Sequence, residues 1–380
     1  MKNPDAIVIG AGIVGASSAL SLTNAGLKVL VIDRGAVSSG TTGAGEGNIL
    51  VSDKDPGPEL TLALHSRNLW FEMQEDVGDS FELEAKGGVV VARRDDGPLI
   101  KLATEQSHHG VTIEKCNQSR LHELEPYLHP DISSGVFYPQ DAQCQPMLAA
   151  AHVIRTVVQR GGEFISQAKV TRIIVEDGAV AGIETTRGTF KAPIIVNATG
   201  TWAGELAELA GSHLPIAPRK GFILVTEPTK KYIFHKVYDS DYVANVASSD
   251  ADLQTSTVVE GTRSGTILIG ASRERVGFDG AMNYEILRTL AAQATSLFPV
   301  LRDVQLLRAY RGFRPYAPDH LPVIGQDAKV KGLWHSAGHE GAGIGLAPGS
   351  AALITDAILG RDSFMDGAAF SPARFATVNS

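Results

Sequence analysis

Ala6-Ile7-Val8-Ile9-Gly10-Ala11-Gly12-Ile13-Val14-Gly15 is a short apolar run that breaks into three spaced glycines. Four consecutive apolar residues read as a strand buried on both faces of a parallel sheet, since a half-buried strand would alternate. Val14 to Ala25 is small and apolar, contains no proline and stops at Gly26, so a helix is expected, with a second strand over Lys28-Val29-Leu30-Val31-Ile32. In such a βαβ unit Gly10 allows the tight turn, Gly12 lets the backbone approach a pyrophosphate, and Gly15 lets helix pack on strand. The helix N-terminus, with Ile13 and Val14, then faces the phosphates. Asp33 closes the second strand where an acid accepts hydrogen bonds from ribose hydroxyls, with Arg34 beside it. Nothing in this unit separates FAD from NAD.

Composition narrows the surroundings. The 380 residues suggest two or three folding units at roughly 150 residues each, and 43% apolar with 20% charged residues excludes a disordered chain. Glycine is in excess, 40 residues against an average near 7%, without a collagen period or a Gly/Ser linker, so glycines mark particular backbone positions. A formal charge of −8 offers no general field for nucleic acid or anionic lipid. Cys116 and Cys144 lack CxxC spacing, which excludes a disulfide framework, a zinc site or an iron–sulfur cluster built from this chain alone and fits a reducing cytoplasm. No metal site is expected. Met1 to Asp5 runs straight into the first strand and no apolar stretch reaches the ~18 residues of a membrane span, so a soluble or peripherally attached protein is expected.

Ser38-Ser39-Gly40-Thr41-Thr42-Gly43-Ala44-Gly45-Glu46-Gly47-Asn48 has the small side chains and hydroxyls of a backbone that passes close to a long cofactor, with N–H groups available to it. An ordinary surface loop has the same composition.

Three further segments resemble the FAD-dependent D-amino-acid oxidase/glycine oxidase superfamily. The first runs from Val170-Thr171-Arg172-Ile173-Ile174-Val175-Glu176 through a meander to Asn197-Ala198-Thr199-Gly200-Thr201-Trp202; the second is Gly312-Phe313-Arg314-Pro315-Tyr316-Ala317-Pro318-Asp319; the third is Gly338-His339-Glu340-Gly341-Ala342-Gly343-Ile344-Gly345-Leu346-Ala347-Pro348. The resemblance implies an α/β (mixed α+β) protein. It has a discontinuous Rossmann-type FAD domain (1–85, 145–215, 320–380) and a mainly antiparallel substrate domain (86–144, 216–319), with the site between them. It implies FAD contacts from Gly10, Gly12, Ile13, Val14, Gly15, Asp33, Arg34 and Ser39 to Thr42, from Gly47, Asn48, Val170, Ala198, Gly200 and Trp202, and from Gly338, Gly341, Gly343, Ile344 and Gly345. A helix over about Ile344 to Leu359 would point its N-terminus at the flavin pyrimidine. Relatives that attach flavin covalently do so through a histidine after the second strand or a cysteine near the last glycine loop. Thr41-Thr42 and His335-Ser336-Ala337 supply neither, so a non-covalent flavin is expected.

The resemblance also gives Arg314 the role of clamping a substrate carboxylate; a structural arginine paired with Asp319 or Glu340 is the alternative. His339 would touch flavin or stand behind it, with catalysis the weaker reading. Arg263, Arg273, Arg275 and Arg308 are unranked candidates for a second basic group, and Glu46 and Asn48 for the ring or the substrate. Glu46 to Lys54, with Pro56-Gly57-Pro58-Glu59-Leu60, is similar to the β subunits of bacterial opine oxidases and D-hydroxyproline dehydrogenases. That closer likeness implies oxidation of the C–N bond of a secondary amino acid within a heteromeric dehydrogenase. Partner subunits carrying iron–sulfur, flavin or NAD-type centres would take the electrons, in the cytoplasm or peripherally on the inner membrane. Ile269 to Glu274 lacks the lysine that some relatives use to activate oxygen, which favours a dehydrogenase. The alternatives are a stand-alone glycine, sarcosine or D-amino-acid oxidase, and a non-catalytic flavin subunit.

Overall fold

The structure is a computed structural model and describes residues 3–78, 81–240 and 253–379. The opening apolar run forms the strand Ala6–Ile9, buried at every position, and the helix Ile13–Asn24 and strand Val29–Ile32 follow it. These elements belong to a six-stranded sheet ordered Val323–Gln326, Leu333–Ala337, Ile194–Asn197, Ala6–Ile9, Val29–Ile32, Glu163–Ile165. All its pairings are parallel except the hairpin of the first two. The chain leaves Ala6–Ile9 toward one side and returns on the other at Ile194–Asn197, so a crevice opens beyond the carboxyl ends of these two strands.

Val170–Glu176, Ala179–Thr185 and Gly188–Lys191 make a separate antiparallel meander. An eight-stranded sheet takes Gly88–Ala92, Glu114–Asn117 and Ser134–Tyr138 from one stretch and Ala217–Thr226, Lys236–Asp239, Gln254–Gly261, Ile267–Arg273 and Leu306–Tyr316 from another. It is antiparallel apart from the pairing of Lys236–Asp239 with Gly88–Ala92.

One helix corrects the expectation about apolar stretches. Glu340–Leu359 has the length, 20 residues, and the mean hydropathy, 1.4, of a membrane span. Most of it is buried, packed on Ile13–Asn24 and on the helix Pro58–Val77, which is the setting of a core helix. Pro348 lies inside it and cannot donate to Ile344 O. Trp70 Nε1 donates to that carbonyl instead, at 3.0 Å. One step along, Ser66 Oγ donates to Gly345 O at 2.6 Å and accepts from Gly349 N at 2.9 Å, replacing the bond that the proline displaces. Two side chains of one helix thus mend the first turns of another, and those turns border the cavity described below.

Trp70→Phe removes the donor to Ile344 O and is expected to lower stability by about 1–3 kcal/mol. In a Pro348→Ala background, where residue 348 regains an N–H for that carbonyl, the same change should cost less. A double-mutant cycle by urea denaturation reads the difference, and additive costs would contradict the account.

Candidate active site

Asp33 organises the nucleotide end. Its Oδ2 accepts from Ala11 N and its Oδ1 from Gly35 N, both at 2.7 Å, so one carboxylate joins the turn after the first strand to the turn after the second. Thr42 Oγ1 accepts from Ile13 N at 3.0 Å, tying the Ser38 to Asn48 loop to the start of the first helix. Asn197 shapes the opposite wall. Its Oδ1 accepts from the Thr199 hydroxyl at 2.7 Å, its Nδ2 donates to Ala203 O at 2.9 Å, and the turn so formed carries Gly200 and Trp202. Arg34 lies over the Trp202 ring at 3.8 Å, and Phe278 stacks on the same indole.

These walls enclose a cavity of about 770 Å³ that runs from Asp33, Val170 and Thr171 past Gly12 and Thr41 to Glu46, Ile223 and Arg314. Gly10, Gly12, Ile13, Val14, Asp33, Arg34, Ser39, Gly40, Thr41, Thr42, Asn48, Val170, Ala198, Gly200, Trp202, Gly341, Gly343 and Ile344 all line it. Four others of the expected residues do not line it. Gly15 lies against Gly10 O, Gly47 against the Cys144 backbone, Gly338 against Ile216, Ala317 and Val323, and Gly345 against the Asn48 carbonyl and Ile49. In each case the missing Cβ makes room for protein. Gly43, counted with the same loop, lies against Ser38 O.

Arg314 lines the same cavity. Its Nη1 donates to Ser272 O at 2.9 Å, and its guanidinium crosses Gly221, where a Cβ would overlap it. The carboxylates that sequence offered as its partners have other cations. Asp319 is bound by Arg374 at 2.6 Å, and Glu340 by Arg219 and by His320 Nδ1 at 3.1 Å. Burial would raise the Glu340 pKa, but the His320 hydrogen bond and the charges of Arg219 and Arg273 outweigh it and hold the carboxyl at about 2. Arg219 escaped the sequence reading because nothing in Pro218-Arg219-Lys220 signals that it is buried across the sheet from Arg314. Of the four other arginines proposed from sequence, none lines the cavity. Arg263 meets Glu84, Arg308 lies over Tyr310, and Arg275 reaches Tyr316 at 3.4 Å.

His339 lines the cavity with its Nε2 tied to Ser350 Oγ at 2.9 Å. Burial lowers its pKa to about 3, so the ring is neutral and acts as a fixed wall, not as a titrating acid or base. No cysteine lines the cavity among the described residues; Cys116 and Cys144 are buried and free, and His335 is held by Asp327 at 2.8 Å and by Asn197.

The cavity fits FAD. Glycine turns and a helix N-terminus would hold its pyrophosphate, and Asp33 with the apolar Val170 and Ile32 would hold its adenosine, while Gly341 to Ile344 also line the cavity. Asp33→Ala frees both turns and is expected to weaken FAD binding ~10- to 100-fold with the apoprotein still folded. Flavin release followed by fluorescence checks this, and unchanged affinity would remove Asp33 from the site.

Comparison with known proteins agrees with this geometry. Residues 5–357 match the DAO family, described as FAD dependent oxidoreductase. Glycine oxidase of Pseudomonas aeruginosa is 27% identical, covering 97% of this chain and 98% of its own. The hydrogen cyanide synthase subunit HcnC of the same species is 26% identical, covering 98% and 96%. The crystal structure of L-proline dehydrogenase from P. horikoshii has the same fold, with a TM-score of 0.90 at 24% identity over 99% of this chain and 98% of that one. The chain belongs to the DAO family of FAD-dependent oxidoreductases, enzymes that act on C–N bonds.

Proposed function

We propose that this amino-acid oxidoreductase takes a secondary amino acid, an opine or a D-hydroxyproline-like imino acid, and works as the catalytic subunit of a heteromeric dehydrogenase. The observation that carries the reading is Arg314 in the cavity wall, donating to Ser272 O, with room left for its guanidinium by Gly221. A guanidinium fixed in this way meets a carboxylate through two parallel hydrogen bonds and so orients the carbon beside it. When bound, FAD supplies the hydride acceptor, and the substrate imine is hydrolysed by water to an oxo acid and an amine. The chain's own work is to bind and orient: Ile223, Gly312 and Phe313 line the cavity with Arg314, and neutral His339 adds no competing charge.

The subunit role is supported by the relative HcnC, itself named as a subunit. Partner chains with iron–sulfur, flavin or NAD-type centres would receive the electrons, and we place the assembly in the cytoplasm, at most peripheral to the inner membrane. The strand Ile267–Arg273 offers no lysine, as the sequence indicated. A lysine does approach this end from elsewhere: Lys236 Nζ sits 2.5 Å from Glu260 and 3.6 Å from Glu46.

Anaerobic mixing with a panel of opines, imino acids, glycine and sarcosine should bleach the flavin with secondary amino acids first, and rapid peroxide formation from glycine or sarcosine would overturn the subunit reading. Arg314→Ala should raise the substrate KM about 100-fold, in line with loss of a charge-assisted pair. Unchanged turnover in the variant would place the substrate site in another chain.

A further inference from the structure

Glu46 occupies an unusual position for a carboxylate. It is 7% exposed, it lines the cavity, and its Oε1 has no hydrogen-bond partner among the described residues. Leaving such an atom buried without a donor is costly. Its Oε2 accepts from Asn48 Nδ2 at 3.2 Å and lies 3.6 Å from Lys236 Nζ. That ammonium is turned mainly to other acceptors, Glu260 Oε2 at 2.5 Å and Asn48 Oδ1. Glu260 in turn takes Gly47 N at 3.4 Å, so the loop carrying Glu46 is fixed from both sides. Tyr310 completes the support by donating to Gly45 O at 3.3 Å.

The place of Oε1 relative to Arg314 follows from two neighbours. A Cβ on Gly270 would fall 2.7 Å from Oε1 and 3.0 Å from Ile223 Cδ1, so Oε1 and the tip of Ile223 border one point. Arg314 Nη1 lies over Gly221. Gly221 and Ile223 are successive same-face positions of the strand Ala217–Thr226, roughly 7 Å apart. Both neighbours line the cavity, as do Arg314 and Glu46 themselves. A fixed cation and an acceptor without a donor thus border one cavity beside neighbouring same-face positions of one strand.

We propose that Glu46 reads the substrate's nitrogen: its Oε1 accepts a hydrogen bond from the ammonium N–H of an amino acid whose carboxylate Arg314 holds, so that the site selects a charged nitrogen over a neutral isostere. This rests on the assignment of Arg314 and the cavity as the amino-acid site. Glu46 is then a specificity-determining residue supplied by a loop that lines the cavity, and Lys236, Glu260 and Tyr310 are positioning residues that fix that loop.

The test uses the FAD-loaded protein and two ligands without an α-hydrogen, 2-(methylamino)isobutyrate and its isostere 2-methoxyisobutyrate, each titrated by the change in flavin absorbance. The wild type should prefer the amine ~10- to 100-fold. Glu46→Gln, which keeps the side chain's size, should abolish most of that preference while leaving the ether's affinity within about twofold, since a neutral ligand gains little from a carboxylate. Arg314→Ala should weaken both ligands alike. A wild type that binds the ether in an Arg314-dependent way but shows no preference for the amine overturns the role of Glu46 and leaves the carboxylate site standing, and the same holds if Glu46→Gln keeps the full preference. Failure of the wild type to bind either ligand overturns the Arg314 assignment, and this proposal falls with it. Should the variant not retain FAD, the wild-type preference alone decides. Preference without flavin reduction by any α-hydrogen amino acid would keep the amine reader and sink the proposed oxidation.

Discussion

The site depends on a backbone meeting that only glycine permits. Gly10 has a φ of +114°, and a Cβ there would overlap Ala198 O; a Cβ on Gly15 would overlap Gly10 O. The first strand, the first helix and the strand Ile194–Asn197 therefore touch backbone to backbone at one point. Parallel pairing of Ile9 with Asn197 brings the two turns side by side, and the crevice opens where they part. Any side chain at Gly10 would separate them and widen the nucleotide end before a ligand arrived. The remaining supports, the Asp33 carboxylate and the Thr42 hydroxyl, act on turns that this meeting has already placed.

What the sequence disclosed follows from how local each signal is. The strand at Ala6–Ile9, the helix after it and the place of Asp33 in the cavity wall depend on spacing within about 30 residues, and they were legible. Arg314 was legible through the segment around it, since Arg-Pro within such a motif carries more information than an isolated arginine. The glycines were legible only by half. A glycine announces that something comes close to the backbone and does not say what: at Gly12, Gly200 and Gly341 it is the cavity, at Gly47 it is the Cys144 carbonyl, and at Gly338 it is the Ile216 side chain. Telling ligand from protein requires the other side of the contact, which lies far away in the chain.

The charged groups show the same limit more sharply. Glu46 could be named as a candidate from its loop, but its surroundings come from Lys236 and Glu260 on two other strands. Arg219 and Glu340 are 121 residues apart and meet at the cavity's edge. Burial makes such pairs consequential, because an ion taken out of water must be matched within the protein or by a ligand. Arg219 with Glu340, and Lys236 with Glu260, are matched inside the protein. Around the cavity's reacting end this leaves one carboxylate oxygen, Glu46 Oε1, without a donor among the described residues.

That asymmetry explains why one domain pair can host both a general cofactor site and a particular substrate site. The cofactor end is built mostly from backbone: glycine turns, a helix N-terminus and an acid that binds main-chain N–H groups, all of which tolerate change in the side chains around them. The reacting end is built from side chains: Arg314 comes from a strand and donates to Ser272 O, and Glu46 comes from a loop and accepts from Asn48 beside Lys236. Gly221 and Gly270 stay small there, so that a guanidinium and a carboxylate can lie where their own side chains would have been. The eight-stranded sheet also reaches the cofactor end, because Phe313 O, on the strand Leu306–Tyr316, accepts from the Thr41 and Thr201 hydroxyls at 2.7 and 2.8 Å. The Ser38 to Asn48 loop carries Thr42 and Glu46, so a change there in substrate preference would also be felt by the cofactor.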